Sequence, residues 1–272
     1  MVLKAFAKVN WHLAVGKRRN DGYHPIASVF QTCSTFDVID VRVGEGPFSV
    51  NVSGLEAVCP KGSSTLEKAA LIWRQETGFD RSLIIEIRKR IPSQAGLGGG
   101  SSDAAALLRF LNGLRERPLD TKRMIEIALR VGCDVPFFVV GCRAALVSGL
   151  GEIVRPIRAR TDLSGFILVT QGEKTSTKEA YDALDRRTCI PELDNLDELE
   201  KIYNLPVSKW SFRNDFDLVN KKPDVKLEEG QKLLLTGSGS CHVLVSDKDV
   251  TNVDVSDFAN CPDKVKAIRV TF

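Results

Sequence analysis

The sequence has no long apolar run, no marked excess of one charge and no closely paired cysteines. No stretch approaches the roughly 18 apolar residues of a membrane-spanning helix. Its 38 basic and 35 acidic residues leave a net charge of +3, so neither nucleic acid nor a membrane surface is implied as an obligatory partner. The seven cysteines, at 33, 59, 133, 142, 189, 241 and 261, form no C-x-x-C pair and are odd in number. That pattern reads as reduced thiols in a cytosol. His12, His24 and His242, the only three histidines, lack metal-ligand spacing, so no metal site is expected. The N-terminus carries no charged leader with an apolar centre. A cytoplasmic protein without a targeting segment or an obligatory protein partner is expected.

What the chain does have is glycine in one place. Pro92–Leu108 reads PSQAGLGGGSSDAAALL, with four glycines between positions 96 and 100. Beyond it Ala104, Leu107, Leu108, Leu111 and Leu114 recur at helical spacing, predicting a helix over 103–115. Ser101 or Ser102 can cap it, and Asp103 in its first turn suits the helix dipole. Glycines let backbone N–H groups converge, and beside a helix N-terminus they form a phosphate site. A plain flexible turn is the alternative, but clustered glycines are entropically unfavourable there. No lysine follows as in a P-loop, and Ser101 stands where the dinucleotide fingerprint needs its last glycine.

With 272 residues, 43% hydrophobic and 27% charged, the chain can build a sizeable core as one large or two ordinary domains. Alternation predicts strands at 2–15, 26–33, 36–43, 48–53 and 82–92. Helices are predicted at 66–77 and 121–131, followed by the apolar run PFFVVG. After a composition change near 152, strands at 165–170, 232–236, 242–246 and 266–271 and a helix at about 177–187 are expected. The domain boundary is expected at 152–160, giving domains over 1–152 and 153–272.

Several polar residues stand out against this framework. Lys8 and Asn10 share a face of the first strand, a pattern that a surface lysine beside a strand asparagine also produces. Asp134 follows a helix ending at Gly132 and is either a turn aspartate or a carboxylate placed to accept a proton. Tyr23 and His24, with Phe30 six residues on from His24, are a packed tyrosine and a surface histidine, or the walls of a base pocket. Gly237, Ser238, Gly239 and Ser240 form a second Gly-Ser loop, which is a simple hairpin or a site for a second phosphate-bearing ligand. Cys241 closes that loop and is either a reactive thiol at its margin or an inert thiol packed in the strand.

The glycine stretch resembles the phosphate loop of the GHMP small-molecule kinases, named for galactokinase, homoserine kinase, mevalonate kinase and phosphomevalonate kinase. The ordered set AKVN, GKRRNDGYH, FQT, PSQAGLGGGSSDAA, GCDVPFF and TGSGS, spanning about residues 4–245, is similar to the branch acting on a cytidine-diphosphate-linked methylerythritol. The resemblance implies a two-domain α+β fold with its active-site cleft between the domains. It implies ATP as phosphoryl donor, with Mg²⁺ delivered on it, and phosphorylation of the substrate's 2-hydroxyl in non-mevalonate isoprenoid biosynthesis. It further implies Lys8 and Asp134 as the catalytic pair. ATP would be held by Lys89, Pro92, Ala95, Gly96, Leu97, Gly98, Gly99, Gly100, Ser101 and Ser102. The substrate would be held by Asn10, Tyr23, His24, Phe30, Tyr181, Gly237, Ser238, Gly239 and Ser240. Homoserine, mevalonate and sugars carry no cytosine, which sets other GHMP kinases behind this reading. A catalytically silent nucleotide-binding relative would not require both Lys8 and Asp134. Three departures remain: Thr65-Leu66 stands where the family has Asn-Leu near adenine, TGSGSC replaces TGSGSS, and TGSGS begins only 20 residues after NDF ends at Phe216.

Overall fold

A computed structural model describes residues 1–170, 176–187, 190–250 and 265–272. The chain divides into two compact units that alternate along the sequence. The first comprises Met1–Ala7, Thr35–Ser93 and Gly98–Cys142, and the second Lys8–Ser34, Gln94–Leu97 and Arg143–Phe272. Strands β1 (Val2–Val15) and β2 (Ile26–Gly44) each contribute to both. The two strands predicted over 26–43 are one, because Ser34 and Thr35, read as a break, are tolerated in extended backbone.

In the first unit, β3 (Val50–Ser53) runs parallel to β4 (Ser82–Arg88), which pairs antiparallel with the Val38–Gly44 part of β2. Helix α1 (Thr65–Thr77) starts with a capping box: Ser64 accepts from the Glu67 N–H and Glu67 returns to the Ser64 N–H. It buries Leu66, Ala69, Ala70 and Trp73. Helices α2 (Gly99–Gly113), α3 (Thr121–Val131) and α4 (Val135–Val140) complete the unit. The apolar run PFFVVG is therefore a short helix. Apolar faces including Leu107, Leu108 and Leu111 of α2 and Met124 and Ile127 of α3 are buried.

The predicted start of α2 at Asp103 is too late. The helix begins at Gly99, after Gly98 in the left-handed region at φ 66°, and no side chain caps it. Glycine enters that conformation without the Cβ clash that other residues meet. The serines thus lie inside the first turn rather than before it.

In the second unit, β5 (Ala144–Gly149) pairs antiparallel with the Ile26–Gln31 part of β2 and with β6 (Ile153–Pro156). Sequence periodicity missed both strands. A four-stranded antiparallel sheet follows, in the order β10 (Val265–Thr271), β7 (Ser164–Thr170), β9 (His242–Ser246), β8 (Lys232–Leu235). One of its faces packs Leu168, Leu233, Leu244 and Val250 together. Helices α5 (Thr177–Asp185) and α6 (Leu196–Tyr203) carry their own N-caps, Ser176 and Asn195. The Trp11 ring lies 5.3 Å from Trp210 and 4.7 Å from Phe272. The fold class is α+β, as expected. No disulfide joins the five cysteines among the described residues, while Cys189 and Cys261 lie outside those residues.

Candidate active site

In the first unit the helical half of the glycine loop carries a buried charge cluster. The Lys89 ammonium donates to Asp37 at 2.5 Å and to Asp103 at 2.8 Å. Asp37 also accepts from the backbone N–H groups of Arg90 and Ile91. Asp103 is not a dipole partner at the start of the helix, as its place in the sequence suggested. It lies in the second turn of α2, buried, with Oδ1 lacking a hydrogen-bond partner. Burial pushes its carboxyl up to about 7, against the pull of Lys89 and with added repulsion from Asp37. For Lys89, burial disfavours the ammonium, but the two carboxylates outweigh it and the pKa is raised.

Gly99 is where this cluster meets the loop. A Cβ there would stand 3.3 Å from the Lys89 ammonium and 3.0 Å from Ile91. Thr65, the departure at the start of α1, donates its hydroxyl to the Gly100 carbonyl at 2.7 Å, bonding the two helix starts together. A cavity of about 180 Å³ beside α1 is lined by Asn51, Ser53, Leu55, Cys59, Ser64 and Glu67, among others. Asp134 occupies the N-cap position of α4, but its carboxylate makes no capping hydrogen bond.

In the second unit Asn10 is the hub. Its Oδ1 accepts from the Lys8 ammonium at 2.6 Å and from the Gly237 N–H at 3.0 Å. Its own N–H donates to Thr236 Oγ1, and its Nδ2 donates to Ser28. The Lys8 ammonium lies 4.7 Å from the centre of the buried Phe30 ring, and the Lys8 N–H donates to the Leu97 carbonyl. Lys8 is 2% exposed, so it is not the surface lysine that the strand pattern also allowed. Gly96 is packed so closely on Thr236 that a Cβ would lie 2.1 Å from the Thr236 carbonyl oxygen. Lys8, Asn10, Gly96, Leu97 and Gly237 are thus gathered into one place.

The second Gly-Ser loop is shaped by residues that sequence reasoning did not single out. Asn214 Nδ2 donates to the carbonyls of Leu235 and Gly237, and Asn220 Nδ2 donates to that of Ser238. The NDF triplet was visible, but nothing local announces contacts more than 20 residues away. Thr177 Oγ1 lies 3.1 Å from Ser238 Oγ. Ser240 Oγ is buried with no hydrogen-bond partner. Cys241 is fully buried, which overturns the reading that set its thiol at the loop's margin.

His24 and Tyr181 meet with ring centroids 5.1 Å apart and planes 35° from parallel, and Tyr181 sets its edge against Phe216. His24 Nδ1 bonds the Gly16 carbonyl at 2.9 Å, which requires the proton on Nδ1, and Nε2 lies 3.4 Å from Asp185. Tyr23 is more than half exposed on the preceding turn.

The fold, with its glycine-started helix, is that of the small-molecule kinases of the GHMP class. The family model described as GHMP kinases N terminal domain matches residues 64–142. The chain belongs to the 4-diphosphocytidyl-2-C-methyl-D-erythritol kinase family. It is 36% identical over 251 residues to the enzyme of that name from Thermotoga maritima, covering 88% of this chain and 89% of that one. With the Desulfotalea psychrophila enzyme of the same name it shares 37% over 257 residues, covering 92% and 83%. A crystal structure of 4-(cytidine 5'-diphospho)-2C-methyl-D-erythritol kinase superposes with a TM-score of 0.72 at 27% identity, over the whole of both chains. The Methanococcus jannaschii mevalonate kinase shares the fold, with a TM-score of 0.64 at 13% identity, over 100% of this chain and 98% of that one.

Proposed function

We propose that this chain transfers the terminal phosphoryl group of ATP to the 2-hydroxyl of 4-diphosphocytidyl-2-C-methyl-D-erythritol, a step of non-mevalonate isoprenoid precursor biosynthesis. The observation that carries the reading is the Asn10 hub: Asn10 ties the buried Lys8 to the second glycine loop, and the Lys8 N–H bonds Leu97 of the first. Phosphoryl transfer needs positioning and charge neutralisation more than covalent chemistry. Lys8 supplies a positive charge for the transferred phosphoryl group, in surroundings where little water screens it. Asp134 orients the substrate hydroxyl and accepts its proton.

The N–H groups at the start of α2, with Lys89 beside them, receive the ATP phosphates. Pro92 and Ala95 lead the chain into this loop. The cavity beside α1 receives the adenine. Because the Thr65 hydroxyl is engaged by Gly100, the base is held there by other groups. Among the described residues no group of three or more His, Cys, Asp or Glu is arranged to hold a metal, and Mg²⁺ arrives on ATP. His24 and Tyr181 hold the cytosine, with Tyr23 at its rim, and Gly237–Ser240 hold the diphosphate. Domains over 1–152 and 153–272 belong to the same reading, as does a place in the cytoplasm, where ATP is supplied. No helix among the described residues is long and apolar enough to cross a membrane.

The test is ATP consumption by the purified chain with the cytidine-diphosphate-linked methylerythritol, homoserine, mevalonate and a hexose. Turnover with the first alone supports the proposal. Turnover only with another acceptor moves the chain to a different kinase branch, and none with any acceptor leaves a nucleotide-binding relative.

A further inference from the structure

Two carboxylates converge on one ammonium beside the glycine turn, and this arrangement goes beyond what phosphate binding by Lys89 requires. Lys89, Asp37 and Asp103 come from three places in the chain: just past the end of β4, the middle of β2 and the second turn of α2. All three are largely shielded, with side-chain exposures of 15%, 0% and 3%. A lysine ammonium has three N–H donors. Two of them go to Asp37 and Asp103. Gly99, in the first turn of α2, is the neighbour that leaves room for the ammonium there.

We propose that Asp37 and Asp103 are positioning residues for the nucleotide: they fix the Lys89 ammonium against the first turn of α2 and leave its third N–H for a phosphate oxygen. The inference rests on the reading that this turn receives ATP. A free lysine side chain explores many rotamers, and ordering it on binding opposes affinity. Here the protein has already ordered it. Asp37 is the fixed anchor, because the Arg90 and Ile91 N–H groups hold its other oxygen. Asp103 ties the ammonium to the helix itself, so lysine and helix N-terminus present one rigid set of donors. The unpartnered Oδ1 of Asp103 is a cost that packing alone would remove. Its retention fits a positioning role better than a purely structural one.

The experiment is a double-mutant cycle read in steady-state kinetics, with thermal melts to confirm folding. Lys89→Met, Asp37→Asn and Asp103→Asn are each expected to raise KM for ATP about 10- to 150-fold, the scale of losing one hydrogen bond to a charged group. The loss should fall on KM for ATP more than on kcat, and KM for the cytidine substrate should change by no more than about twofold. In the Lys89→Met background the aspartate substitutions should have no further effect on KM for ATP, because the group they position is gone. Effects that persist in that background, or fall equally on both substrates, would overturn the positioning role and leave the aspartates structural. Aspartate variants that bind ATP normally while Lys89→Met does not would overturn it as well. Lys89→Met with an unchanged KM for ATP would instead remove Lys89 from the nucleotide site, which is a failure of the parent reading. Should Asp103→Asn not fold, Asp37→Asn carries the test, since its Asn still accepts from Arg90 and Ile91.

Discussion

Gly96 and Thr236 sit back to back, so close that a methyl group on Gly96 would lie 2.1 Å from the Thr236 carbonyl oxygen. Gly96 also has φ 75°, a conformation that L side chains rarely adopt. The two glycine loops can approach only because Gly96 and the neighbouring Gly237 both lack a side chain: a Cβ on Gly237 would lie 2.6 Å from the Gly96 Cα. Gly96→Ala is therefore expected to separate them, lowering stability by about 2–4 kcal/mol from clash and strain together. Because Asn10 bonds both Lys8 and Gly237, kcat should fall as well. A thermal melt and a steady-state assay check this, and a variant with wild-type Tm and kcat would show that the contact is dispensable.

Lys8→Ala and Asp134→Asn are each expected to lower kcat at least about 100-fold, the scale for a positioned acid–base or charge-stabilising group. KM for ATP should change little, since the N–H groups of the glycine loop stay in place. Lys8 is buried and bonded to Asn10, so its removal needs a melt to confirm folding. Near-wild-type turnover in either folded variant would take that residue out of the chemistry.

His24→Ala should weaken the cytidine substrate about 5- to 150-fold, the range for loss of one stacking partner, with KM for ATP unchanged. The reason is the ring pair it forms with Tyr181 at 5.1 Å. Tyr181→Leu should match it in direction. An equal loss for ATP would place this ring pair at the adenine instead.

Cys241 is fully buried, whereas Cys133 is exposed. Under a small alkylating agent Cys133 should be labelled early and Cys241 only as the protein unfolds. Mass spectrometry of a time course gives the order. Early labelling of Cys241 that substrate suppresses would restore the reactive thiol that the loop pattern allowed.

What the sequence made legible follows from how local each signal is. β1, β4, α1 and α3 carry their periodicity and, for the helices, side-chain caps within a few residues of their starts. α2 was misplaced by four residues because its start depends on the left-handed Gly98 rather than on a capping side chain. β5 was missed because AALVSG alternates no polar positions; Ile26, Ala27, Val29 and Phe30 opposite it on β2 are apolar and both faces are largely buried. Lys8, Asn10 and the glycine loops were found from motifs, but Asn10's bond to Gly237 spans 227 positions and has no local trace. Asp103 shows the same limit. An acidic residue early in a helix reads as a dipole partner, yet its partner here is Lys89, fourteen residues upstream.

His242 is buried in β9, next to the second Gly-Ser loop, and neither ring nitrogen has a hydrogen-bond partner. Burial, then the positive charge of Lys222, lowers its pKa from 6.5 to about 4. The Ser240 main chain pulls weakly the other way, outside hydrogen-bonding geometry. Because the folded pKa lies below the unfolded one, the unfolded chain takes up the proton first as pH falls. The stability associated with neutral His242 is thus present above pH 6.5 and is lost as pH drops towards 4. His242→Leu should remove both that loss and the unsatisfied nitrogens, raising stability at pH 7 by about 1–3 kcal/mol. Thermal melts at pH 7 and pH 4.5 give the comparison. The variant should have the higher Tm at both, by a wider margin at pH 4.5. Carboxylate protonation also destabilises the fold in acid, but it acts on both proteins alike and cancels in the difference. Equal margins at the two pH values would mean that His242 meets a proton acceptor in the folded chain.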